Sequence, residues 1–149
     1  MGRVAFLLGG LEQLEKSLHA KRDAYSRGMK KGVILAALLV QGESQKIVPV
    51  DTGNLRASAG TRYVGNGVDK HDAEVFYTAA YAIYVHEDLE ARHQPGKTAQ
   101  FIVIAMQKNR LKIVEIIKNA ILLESGKVNA INRTARKLVA RDPRTGRFI

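Results

Sequence analysis

Apolar residues at Leu7, Leu11, Leu14, Leu18, Tyr25, Met29, Val33, Ala36, Val40 and Ile47 recur mostly at steps of three, four or seven. That spacing lines one face of a helix and predicts one from about residue 10 to residue 48. Arg22 and Glu43 interrupt the stripe. Gly28, Gly32 and Gly42 each weaken a helix by about 1 kcal/mol relative to Ala, which predicts a kink or break near Gly28 to Gly32. By its rise per residue such a helix runs about 55–60 Å, longer than a small domain is wide. Part of it is therefore expected to pack on another subunit as well as on its own sheet.

The helical pattern stops at Val48-Pro49-Val50-Asp51-Thr52-Gly53-Asn54-Leu55. Pro49 has no N–H to give a helix and pushes Val48 toward extended geometry. Asp51 and Thr52 are expected to bond forward to backbone N–H groups while Gly53 takes a positive φ. Val50 and Leu55 flank this turn as apolar anchors, so Pro49, Asp51, Thr52, Gly53 and Leu55 form a structural corner between helix and sheet. Beyond it, Ala57 to Val64 and Ala73 to Tyr77 read as strands, with Gly65-Asn66-Gly67 turning between them. Tyr77 to Val85 fits either a strand or a strand passing into a helical turn.

Asp88 to Gly96 is polar, contains Pro95, and reads as an exposed loop. Thr98 is expected to cap a helix running to about Glu124 and closing at Gly126, with Phe101, Ile104, Ala105, Leu111, Val114, Ile117 and Ile121 on its face. Val128, Ile131, Ala135 and Leu138 mark a last amphipathic piece. Pro143 and Gly146 then stop any helix, leaving residues 141–149 as an extended arm. The fold expected is α+β: a long N-terminal helix, a small antiparallel sheet and C-terminal helices. Residues 1–140 form one domain, and 141–149 a basic arm.

A chain of 149 residues with 46% hydrophobic content suits a single domain of this kind. Aromatic residues are only 6%, so the core is expected to be aliphatic. The chain has no Cys, which excludes disulfides and thiolate metal sites and fits a reducing compartment. The apolar runs fall short of the roughly 20 residues that span a bilayer, and Met1 to Gly10 lacks a signal-peptide layout, so a soluble protein without membrane contact is expected.

The net charge of +10 is unevenly placed. Residues 1–50 hold eight Lys and Arg against four acidic residues, residues 51–100 five against seven, and residues 101–149 eleven against three. A basic end beside an acidic middle attracts polyanions, an acidic protein surface, or the next copy of the same subunit. In the arm, Arg141, Arg144 and Arg147 precede Phe148 and Ile149. An aromatic residue there is unusual for a solubilising tail and points to docking on a partner, with the arginines meeting acidic groups and Phe148 filling an apolar pocket.

Three constellations invite chemistry. Asp51-Thr52-Gly53 resembles the aspartic-protease loop, two copies of which share one proton between paired carboxylates. Asn54 stands where a small hydroxyl residue or Ala is usual, and long helices are foreign to such proteases; a turn is the better reading. Gly96-Lys97-Thr98 resembles the end of a phosphate-binding loop, but Ala91 replaces the Gly expected five residues earlier, and no strand leads into it. His71-Asp72, His86-Glu87-Asp88 and His93 offer metal ligands without helical His-x-x-x-His spacing, and solvated loop positions explain them. No catalytic residue, cofactor or metal ligand is assigned, and the chain is not expected to be an enzyme.

The corner, the Tyr-Ala segment and the start of the Phe101 helix together resemble the tail-completion (neck) proteins of long-tailed double-stranded-DNA bacteriophages. The matching residues are Pro49 to Ser58 for Pro-Val-Asp-Thr-Gly-x-Leu-x-x-Ser, Tyr81-Ala82-Ile83-Tyr84 with Glu87, and Phe101 with Ala105. The likeness covers residues 10 to 125. It departs at Asp88, where the family often has Gly, and at Ala99-Gln100, where it often has Arg-Pro, so the loop between is expected to differ in shape and partner. The resemblance implies a non-enzymatic virion protein in a homo-oligomeric ring, a hexamer or larger. That ring completes the tail and joins it to the DNA-filled head. Implied partners are head-completion or connector proteins on one side, tail tube or tail terminator proteins on the other, and the phage DNA that passes through. Assembly in the host cytoplasm precedes residence in the virion neck. A basic nucleic-acid-binding module, and less so a small aspartic protease using Asp51, are the other readings of the residues.

Overall fold

A computed structural model describes residues 2–139, with side chains from residue 10 to residue 127. In chain order it holds α1 (Gly2–Ile47), α2 (Asn54–Ala57), β1 (Ala59–Tyr63), β2 (Ala73–Tyr77), α3 (Ala82–Glu87), α4 (Phe101–Lys108) and α5 (Arg110–Val139). The fold is α+β, as expected: a long N-terminal helix, a small antiparallel sheet and C-terminal helices. Among the described residues, no helix is long and apolar enough to cross a membrane.

α1 continues through Gly28 and Gly32 for 46 residues, without the predicted break. The glycines serve the packing instead. α5 runs antiparallel along α1, and a Cβ added to Gly28 would lie 2.6 Å from the Ile121 Cα, one on Gly32 2.8 Å from the Ile117 Cα. Only residues without a side chain let the two backbones approach this closely. Glu124 of α5 ties the same stretch together, its Oε1 accepting from Lys31 Nζ at 2.6 Å and Lys127 Nζ at 3.0 Å, with Arg27 Nε 3.7 Å from Oε2. The Lys31 hydrogen bond, then that of Lys127, holds the Glu124 carboxyl down to about 2 from an ordinary 4.5.

The buried row of α1 differs from the predicted stripe. Every fourth residue from Ala24 to Val48, just past the helix end, is buried: Ala24, Gly28, Gly32, Ala36, Val40, Ser44 and Val48. Spacing by four follows one ridge of a helix, the row that packs into a neighbouring helix's groove. The predicted stripe shares Ala36 and Val40 with this row, but most residues of the row are small, and Tyr25, Met29 and Val33 lie one position to its side.

The sheet is one antiparallel pair, with Ala59 opposite Tyr77, Thr61 opposite Val75 and Tyr63 opposite Ala73. Ala57, expected in the first strand, closes α2 instead. Nor is Gly65-Asn66-Gly67 a tight turn. The loop is longer, and Asn66 Oδ1 organises it by accepting from the N–H groups of Val68, Asp69 and Lys70 at 2.9–3.1 Å. Tyr77 to Val85 resolves into the end of β2 followed by α3.

The predicted helix from Thr98 to Glu124 is two helices. Gln100, at φ 51, precedes Phe101, and Asn109 separates α4 from α5 while its Nδ2 donates to the Ala105 carbonyl at 2.8 Å. α5 then passes through Gly126, so the expected end there and the separate last piece are one helix. The small core joins Val48, Leu55, Ala82 and Phe101, with Ile47, Tyr77, Val85 and Ile102 packed on it.

Candidate functional site

The corner is built around Gly53 and Leu55. Gly53 sits at φ 87, ψ −8, a left-handed geometry that places its carbonyl to accept the Ala57 N–H at 2.9 Å and so starts α2. Leu55, two residues on, is driven into the core. Asp51 and Thr52 remain exposed on the outer side. Of the expected forward bonds, that of Thr52 is present but long, with Asn54 N–H 3.5 Å from its Oγ1; among the described residues no hydrogen bond engages the Asp51 carboxylate. Gly53 and Leu55, rather than Asp51, shape the turn.

This corner forms one wall of a cleft of about 240 Å³. Tyr81, just before α3, and Val85 within it line the second wall, and Arg92, His93 and Gln94 the third. Two of the three segments used in the family comparison thus meet face to face. The third lies directly beneath: the Phe101 ring is buried, edge-on to Tyr77 at 4.9 Å and to His86 at 4.8 Å between centroids. Tyr77 in turn donates to Ser44 Oγ at 2.7 Å, since the Ser44 hydroxyl hydrogen goes to the Gln41 carbonyl at 2.8 Å. Burial pushes the Tyr77 phenol above its ordinary value, the Ser44 bond offsetting part of the rise.

The loop from Gln94 to Thr98 has a task the sequence did not reveal. A helix leaves its last carbonyls unpaired. Here the Lys97 ammonium donates to the Lys46 carbonyl at 2.7 Å, and the Thr98 N–H to the Ile47 carbonyl at 3.0 Å. Thr98 therefore closes the C-terminal end of α1 and does not cap the next helix, which starts three residues later. The Gln100 N–H donates to the His86 carbonyl at 2.8 Å, fastening α3 to the start of α4. Lys97 and Thr98 are structural, which also accounts for Gly96-Lys97-Thr98 without a phosphate.

Among the described residues, Asp51 is the sole carboxylate lining the cleft, and they form no proton-sharing pair of the aspartic-protease kind. Among the described residues, no three His, Asp or Glu side chains cluster to hold a metal ion. His86 Nδ1 pairs with Glu87 at 2.8 Å, while His71 lies between Ser26 Oγ at 3.1 Å and the Tyr63 hydroxyl at 2.8 Å. The Ser26–His71 contact has a tyrosine hydroxyl where a hydrolytic triad needs a carboxylate, and neighbouring Asp72 is turned to Lys70 at 3.2 Å. It links α1 to the hairpin loop.

A second feature lies along the first half of α1. Leu11, Leu14 and Leu18 are 54–60% exposed, and Tyr25 and Met29 continue the row. Steps of three, four and seven set these side chains on one face, beside the ridge that α5 covers. Arg141, Arg144, Arg147 and Phe148 lie outside the described residues, as do the side chains of Val128, Ile131, Ala135 and Leu138. No protein-family model matches the chain, and neither a curated protein nor a solved structure is significantly similar to it.

Proposed function

We propose that the chain is a structural subunit of a bacteriophage neck, forming a ring that completes the tail and joins it to the DNA-filled head. The observation that carries this reading is the uncovered apolar row on α1. At 46 residues the helix is about 69 Å long, more than twice the width of a small domain. Its first half offers Leu11, Leu14 and Leu18 to solvent. A contiguous apolar face of this kind marks a surface that another protein covers. A symmetric ring supplies such a cover from an identical neighbour.

The choice of assembly rests on the resemblance of the corner, the Tyr-Ala segment and the Phe101 segment to neck proteins. Its support from geometry is that these segments form one packed unit, with Gly53, Leu55, Tyr81 and Phe101 each in a defined place. In this reading the ring is a hexamer or larger, head-side connector and tail-side terminator proteins adjoin it, and DNA passes through. No step of the function is chemical.

Deleting the coding sequence from the genome that carries it provides the test. Filled heads and separate tails should accumulate, and adding the purified chain should join them. Intact particles from the deletion genome would end the proposal.

A further inference from the structure

The exposed row on the first half of α1 has the spacing of a helix that pairs with another. Leu7, Leu11, Leu14, Leu18, Lys21 and Tyr25 follow one another at alternating steps of four and three. Such heptads set one seam of a helix against a second helix wound round it. The side of α1 turned to its own chain is a different one. Gly28 lies against Ile121 of α5, Ala24 is buried, and Ala20 and Ser17 are half-buried. At about 100° per residue, that side stands roughly a third of a turn from Leu11, Leu14 and Leu18, which are left exposed.

The charges beside the seam decide what covers it. Glu15 and Arg22 come directly after Leu14 and Lys21, so they stand on the same flank, and both are exposed. Their contacts are with neighbours on their own helix, Glu15 with His19 at 3.6 Å and Arg22 with Asp23 at 3.3 Å. A carboxylate and a guanidinium each keep hydrogen-bonding capacity beyond one such contact. When two identical helices pair head to tail, this flank of one lies beside the same flank of the other. Glu15 then meets Arg22 of the second copy, and Arg22 meets its Glu15. In that register Leu14 packs on Tyr25 of the second copy, while Lys21 lays its stem along Leu18 and keeps its ammonium in water. Parallel pairing sets Lys21 against Lys21 inside the seam, and turns Glu15 and Arg22 toward the uncharged Gly10 and Ser17. The flank is therefore complementary to itself in the antiparallel pair alone.

We infer that two copies of the free chain pair antiparallel through this seam, with Glu15 and Arg22 exchanging contacts across a two-fold axis. Such a contact closes at two chains. It names what covers the leucine row in the free protein, and entry into a ring exchanges that cover for the ring neighbour. The inference rests on the reading of this row as a self-association surface and not on the neck resemblance.

Sedimentation equilibrium of the full chain at low salt reads the pair. The unaltered protein should pass reversibly from one chain to two as concentration rises. E15R and R22E each place like charges at both contacts, so each should associate about tenfold more weakly. An equimolar mixture of E15R and R22E puts opposite charges back at both contacts, and should pair about tenfold more tightly than either variant alone. The E15R/R22E double variant should recover in the same way. Both side chains are exposed, and thermal melts of each variant confirm that the fold is kept. Unchanged association in either single variant, a mixture no tighter than its components, or a chain that stays single throughout overturns the inference. A mass that climbs past two chains also overturns it, in favour of a contact that builds a ring. None of these results needs a phage particle, so failure here leaves the neck proposal to its own deletion test, and success does not establish it.

Discussion

Gly28 lies so close to Ile121 that a methyl group on it would stand 2.6 Å from the Ile121 Cα and 3.0 Å from the Ala120 carbonyl oxygen. Both obstacles are backbone, which cannot rotate away as a side chain can. Gly28→Ala should therefore lower stability by about 1–3 kcal/mol through forced separation of α1 and α5, despite its gain in helix propensity. Gly42 provides the contrast, since nothing lies within 4 Å of its added Cβ. Gly42→Ala should raise stability by about 0.5–1 kcal/mol. Urea denaturation of both variants checks the opposite signs.

At Gly53 the cost is conformational, because an added Cβ meets nothing within 4 Å while φ is +87. Gly53→Val should destabilise by about 1–3 kcal/mol, and Gly53→Asn by less, since Asn tolerates left-handed backbone. Asp51→Asn should change the melting temperature little, its carboxylate being exposed. A peptidase role for Asp51 would reverse this ranking, with Asn abolishing a measurable cleavage.

Glu124 makes stability depend on acid. Its folded-state carboxyl is held to about 2, below the ordinary 4.5. A depressed carboxylate contributes stability that is complete above about pH 4.5 and is lost as pH falls toward 2. Glu124→Gln should remove that part of the acid limb, so the two proteins' melting temperatures converge as pH drops from 5 to 2. Melts that stay equally far apart across that range would show that the Lys31 and Lys127 contacts do not act on Glu124.

The leucine row of α1 predicts a separation of folding from assembly. Leu14→Lys with Leu18→Lys changes two exposed positions to another good helix former, so the chain's own stability should stay within about 0.5 kcal/mol. Self-association should be lost. Sedimentation equilibrium over a range of concentrations measures it: the unaltered protein should gain mass as concentration rises, and the double variant should remain one chain.

How far the fold was legible follows from what each residue can signal alone. Pro49 and Gly53 act through their own covalent geometry, by a missing N–H and a permitted positive φ, so the corner and the change from helix to strands could be read locally. The short apolar run at Ala73 to Tyr77 marked a strand, also locally. The α+β class follows from these local preferences. The row of α1 that is buried was legible only at Ala36 and Val40, because Ala24, Gly28 and Gly32 have little apolar surface to reveal it. They are buried because α5 approaches closely, and closeness belongs to the pair of helices. Gly28 and Gly32, which in an isolated helix would be weak points, became contact points for that reason.

The ends of helices divide the same way. Thr98 has the residue type of an N-cap, yet its N–H closes α1, residues distant in the chain, because Ile47 leaves a carbonyl unpaired there. Asn109 splits the last helical pattern through a side-chain bond to Ala105 that periodicity does not register. The corner cleft, likewise, joins Gly53 to Tyr81 and His93 only after the chain has turned twice. Local backbone chemistry determined where elements of this protein begin and turn. Which residues face one another, and which leucines are left uncovered, was decided by the packing of α5 against α1, since burial depends on the neighbour as much as on the residue.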